Sequence, residues 1–111
     1  MDKKDLNRLN HMLDAAKAIS QHIVNKNASD LEKDRLLLGG IIRELLLIGE
    51  AANAVSSVSK AEILNIPWKE VIGMRNQLIH GYFEISYRIV WSTATEDIPR
   101  LIIELEKILH T

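Results

Sequence analysis

A chain of 111 residues, 47% of them hydrophobic, has the length for one cored domain, expected over 1–111. Its formal net charge of −1 excludes the strongly basic surface on which non-specific nucleic-acid binding rests, so any RNA contact has to be local. It has no cysteine, hence neither disulfides nor a thiolate metal site, and its four histidines form no HxxxH or HxxE pair, which argues against structural zinc.

Aromatic residues make up only 5%, and Leu, Ile and Ala dominate, a mix that favours helices packed on helices. The opening MDKKDLNRLN holds no apolar stretch of the kind a signal peptide needs. The longest apolar runs, LLLGGII and LLLI, are too short to span a bilayer, so a cytoplasmic domain without a membrane partner is expected.

Leu6, Leu9, Leu13, Ala16, Ile19 and Ile23 recur at helical spacing, predicting a first helix capped by Asp2 and ending near Val24. Ser29 and Glu32 fit a capping box, and a second helix is predicted over 30–58, about 40 Å long at 1.5 Å per residue. Leu31, Leu38, Ile41, Leu45, Ile48, Ala52 and Val55 mark one apolar side of it, and Leu47, Ala51, Ala54 and Val58 another. A helix apolar on two sides is buried on both, which in so small a domain points to a subunit interface. Arg43, Glu50 and Ser57, spaced by sevens, interrupt it on a single face, with Gly39 near them. Arg43 and Glu50 are candidates to line a cleft. They stand about 10 Å apart along the axis, too far to pair directly. Gly39, Gly40 and Gly49 cost helix propensity, and close helix contact is the expected reason. Residues 59–66 read as a connector, with one turn capped by Ser59 and Glu62. A third helix is predicted over 67–80, entered at Pro67 and ended by Gly81. The last helical region, 86–110, is expected to kink or restart at Asp97 and Pro99. The sum is an all-α, up-and-down bundle of four to five helices.

The stretch RNQLIHGY, 75–82, gathers Arg75, Asn76, His80 and Tyr82. Five residues along a regular helix turn Arg75 and His80 apart by about 140°. They converge only if Arg75 reaches along the helix while the chain bends at Gly81, or if each meets its counterpart on a second subunit. His is suited to proton transfer near neutral pH, and Arg forks onto phosphate oxygens. Together they suit metal-free cleavage of RNA. His80 would move the proton of the ribose 2′-OH or the leaving 5′-oxygen, and Arg75 would meet the charge growing on phosphorus-bound oxygens. Splitting the base and acid roles between two copies of His80 makes a symmetric dimer part of this reading. The plainer alternative is an Arg and a His that favour the negative end of a helix dipole. Asn76 serves His80 or a phosphate oxygen, or simply a helix-end hydrogen bond. Trp68 and Trp91 read as core or interface anchors rather than base-stacking platforms, Tyr87 as a partner for Trp91, and His11, His22 and His110 as surface residues.

RNQLIHGY also matches the Arg-x4-His-x-Tyr signature of the HEPN superfamily. With LLLIGEAAN (45–53), IPW (66–68), MRNQLIHGYF (74–83), YRIVW (87–91) and EDIPRL (96–101), the chain resembles the HepT-like toxins over most of its length. The resemblance implies a dimerising helical bundle with Arg75 and His80 of both subunits in a shared cleft. It further implies a metal-independent endoribonuclease toxin that needs no cofactor. The implied partner is a minimal nucleotidyltransferase antitoxin that silences the nuclease by attaching AMP to Tyr82. Many relatives carry an acidic residue where this chain has Gly81. The competing reading, from another class, is a non-catalytic subunit that binds a nucleotide or substrate for a nucleotidyltransferase partner.

Overall fold

The computed structural model describes residues 1–80 and 86–110, without the side chains of Ile79 and His80. Among the described residues there is helix and no strand: α1 (Lys3–His22), α2 (Ala28–Lys33), α3 (Arg35–Ala54), α4 (Ser57–Glu62), α5 (Trp68–His80), α6 (Tyr87–Ser92) and α7 (Ile98–Leu109), with a π-helical turn, Thr93–Asp97, between the last two. α1 packs on α3 and α7, and α3 packs on α5. No helix is long and apolar enough to cross a membrane among the described residues.

α1 forms as its periodicity predicts. Asp2 accepts the amide of Lys4, and Leu9, Met12, Ala16 and Ile19 are buried in the core. Its end falls at His22, and Asn25 takes a left-handed conformation (φ 62°), one that asparagine tolerates better than most residues.

The single helix over 30–58 is corrected to three. Asp34, in an extended conformation (φ −105°, ψ 95°), ends α2 and caps α3, its carboxylate accepting the amide of Leu37 at 3.0 Å. The capping box is Asn27 with Asp30, not Ser29 with Glu32: Asn27 Oδ1 accepts the Asp30 amide, and Asp30 Oδ2 accepts the Asn27 amide. Val55 turns extended at the end of α3. Ser56, rather than Ser59, caps α4. The apolar side through Ile41, Leu45, Ile48 and Ala52 is buried. On the second side Leu47 remains 45% and Val58 68% exposed within the single chain.

What stops α3 at Ala54 is a carboxylate from the far end of the sequence. Asp5, only 1% exposed, accepts the Ser56 amide at 3.0 Å, the Ser56 hydroxyl, and the Ser59 hydroxyl at 2.6 Å. Arg8 Nη1 donates to the carbonyl of Ala54, one of those an α-helix leaves without a partner at its C-terminus. The Ser56 and Ser59 hydroxyls, then the Ser56 amide, pull the Asp5 pKa from 3.8 to about 2.

α5 starts at Trp68, with Pro67 supplying the first helical carbonyl, to the amide of Val71. The indole of Trp68 donates to Ile63 O at 2.9 Å, which anchors the connector; Trp68, Tyr87 and Trp91 are half-buried against the core. The disturbance expected at Asp97 and Pro99 is the π turn, where the Ile98 amide donates five residues back to Thr93 O. Pro99 has no N–H and crowds the carbonyl four residues before it, so a regular ladder cannot run through. The Thr93 and Thr95 hydroxyls donate to the carbonyls of Ile89 and Trp91. α7 then restarts and buries Ile98, Leu101 and Leu105.

Candidate active site

The site is built where α3 and α5 cross. Gly49 is buried on α3, and a Cβ there would fall on Arg75 Cβ, 2.6 Å from its Cγ and 3.2 Å from its Cα. Only glycine lets the two backbones approach this closely. Close contact thus explains Gly49. It does not explain Gly39 or Gly40, where an added Cβ meets nothing within 4 Å.

From this contact the Arg75 side chain crosses to Glu50, the next residue of α3. Arg75 Nε donates to Glu50 Oε1 at 2.8 Å, and Nη2 lies 2.5 Å from the same oxygen. Arg75 Nη1 donates to Asn76 Oδ1 at 2.8 Å. A guanidinium carries five N–H groups. Two of them donate in these hydrogen bonds, and the N–H groups that remain are on the terminal nitrogens. The Arg75 side chain is 24% and that of Glu50 53% exposed, so a solute reaches the pair from outside. This arrangement can offer two donors to neighbouring oxygens of one phosphate.

The sequence-marked residues divide accordingly. Arg75, Asn76 and Glu50 are brought together. Arg43 is exposed and lies 3.9 Å from Glu44, two turns of α3 away from Glu50. His80 is the last residue of α5. Its side chain, Gly81 and Tyr82 lie outside the described residues. His11, His22 and His110 are on the surface. An open groove of about 460 Å³ between α1 and α3 is lined by Arg8, His11, Asp14, Glu44, Leu47 and Glu50, so Glu50 stands on the ridge between this groove and Arg75. Among the described residues no three His, Asp or Glu side chains are grouped to hold a metal. Two residues that shape the site's frame, Asp5 and Arg8, carry no local signal. Their partners lie some fifty positions on, and only an acidic residue within the first turn of an amphipathic helix hinted at them.

The model of the family "Ribonuclease HepT-like" matches residues 12–108. The chain belongs to the HepT-like ribonuclease family. Among its relatives, "Putative RNase TTE0752" of Caldanaerobacter subterraneus subsp. tengcongensis is 35% identical over 92% of this chain and 91% of its own. "Putative RNase MJ1380" of Methanocaldococcus jannaschii is 32% identical over 96% and 98%. "Probable ribonuclease HepT" of Thermococcus cleftensis is 43% identical over 61% and 62%. No solved structure matches the chain at a significant level. The HepT-like family is thus the one that the RNQLIHGY series pointed to.

Proposed function

We propose that this chain is an endoribonuclease toxin that cleaves RNA without a metal, as a homodimer. The observation that carries the reading is the guanidinium of Arg75, held by two hydrogen bonds and an ion pair with N–H groups to spare on its terminal nitrogens, on the helix that ends at His80. In the reaction His80 takes the proton of a ribose 2′-OH. The freed oxygen attacks the adjacent phosphorus, and the bond to the 5′-oxygen breaks as that oxygen receives a proton. The products are a 2′,3′-cyclic phosphate and a 5′-hydroxyl. Arg75 meets the charge that builds on the non-bridging oxygens. The His80 of each subunit serves one of the two proton transfers.

Leu47 supports the dimer. It is exposed one turn before Glu50, so a partner covering it lies beside Arg75 and brings two such sites into one cleft. The cognate antitoxin in this reading is a minimal nucleotidyltransferase that transfers AMP to Tyr82. The added phosphate is anionic and bulky, and it competes with RNA for the donors of Arg75. Asn76 supports Arg75, and Arg43 lines the outer part of the cleft.

The test is expression of wild type, His80→Ala and Arg75→Ala in a host, with growth followed and total RNA run on a gel, and the purified wild type assayed with and without EDTA. The expected result is arrest and new RNA fragments from the wild type alone, with EDTA making no difference. Intact RNA with a folded wild-type protein overturns the nuclease and leaves the subunit that binds a nucleotide for its partner enzyme.

A further inference from the structure

The segment IGEAAN of α3 meets Arg75 with two adjacent residues. Its Gly49 and Glu50 touch Arg75 in complementary ways. The missing Cβ of Gly49 takes in the base of the arginine stem, and one carboxylate oxygen of Glu50 accepts from Nε and forms an ion pair with Nη2. Asn76 Oδ1 accepts from Nη1. An exposed ion pair of this kind contributes little to stability. It also sets a negative charge beside the position a phosphate would occupy, which weakens ground-state binding. A pair that helps neither stability nor affinity is accounted for by orientation. A flexible arginine sweeps many rotamers, and one clamped at stem and head offers the same two donors each time.

We infer that Gly49 and Glu50 form the seat of Arg75, with Glu50 a positioning residue that selects which two guanidinium N–H groups face an incoming phosphate. The inference rests on the ribonuclease reading for its consequence in turnover. The seat itself is a property of the resting protein. Loss of the carboxylate frees the head of Arg75 and removes a repelling charge together. Turnover and substrate binding therefore move in opposite directions.

The experiment takes the purified full chain as wild type, Glu50→Ala and Glu50→Gln, with folding checked by circular dichroism. The first readout is the Arg75 Nε–Hε resonance in ¹⁵N-labelled protein, assigned by its loss in Arg75→Ala. The second is kcat and KM on a short mixed-sequence oligoribonucleotide. In the wild type and Glu50→Gln, whose amide oxygen still accepts from Nε, the resonance is sharp and exchanges slowly. In Glu50→Ala it broadens or vanishes. kcat of Glu50→Ala falls about 10- to 100-fold, KM stays level or drops, and Glu50→Gln recovers most of the loss. A Glu50→Ala protein that keeps the Nε–Hε resonance, or keeps wild-type kcat, overturns the inference. If the wild type cuts no RNA, the ribonuclease reading fails, and the resonance alone decides the seat.

Discussion

Gly49 is the residue on which the site's geometry is most sharply posed. Any side chain there collides with the stem of Arg75, so α3 and α5 have to move apart. Gly49→Ala is expected to cost about 1–3 kcal/mol, the usual penalty for overfilling a packed contact. It should also lower turnover through the displaced Arg75. Gly73→Ala is the control, because an added Cβ there meets nothing within 4 Å. Thermal unfolding of both variants decides it; equal melting temperatures would remove the close approach as the reason for Gly49. The residues that touch at this point were legible one by one. Arg75 and Asn76 stood out in RNQLIHGY, and Glu50 as a charge on an apolar helix. Their union was not legible, because 25 residues separate Glu50 from Arg75 and nothing local records a contact across that gap. Arg43 stood out for the same reason as Glu50. It found only its neighbour Glu44, since the helix face that carries it is open to solvent.

At the scale of elements, periodicity located α1 and α5 almost to the residue and placed the disturbance before α7. It failed inside 30–58. Apolar spacing runs on through Asp34 and Ser56, while each breaks the helix by a cap made with its own side chain. A single capping residue is a weak signal against a strong repeat. The second break also needs Asp5, 51 positions away, to receive the Ser56 amide. That carboxylate has a measurable signature. Its pKa is depressed from 3.8 to about 2, so its contribution to stability is complete above 3.8 and is lost as pH falls through 2. Asp5→Asn is expected to melt several degrees below wild type at neutral pH. The gap should hold down to about pH 3.8 and close toward pH 2. Melting curves in a pH series check this. A gap independent of pH over that window would show that the carboxylate's charge is not what joins α1 to the α3–α4 junction.

For the molecule as a whole, composition announced an all-helical chain, and the described residues form helices and no strand. The second apolar side of α3 was read as buried, and it is the part that a single chain leaves open. Leu47 is 45% exposed there, and Val58, carried on α4, 68%. Periodicity reports that a surface is apolar. It does not report whether the cover comes from the same chain or another. Leu47→Glu tests the proposed homodimer, because a lone carboxylate buried in such an interface costs about 3–5 kcal/mol. Sedimentation should find a wild-type dimer and a folded Leu47→Glu monomer, and the monomer should lose RNA cleavage with Arg75 and His80 intact. A wild type that sediments as a monomer at micromolar concentration would sink the shared cleft.

The crossing of α3 and α5 has one more consequence, and it concerns time. Glu50 leaves the ribosome well before Arg75, and the frame that holds α3 is itself held by α1, which packs against α7. A growing chain that has not yet reached α5 has no arginine to seat. A polypeptide that attacks RNA while still tethered to its own message would interrupt its own synthesis. Under the proposed ribonuclease function, the order of manufacture postpones that hazard until α5 has joined α3.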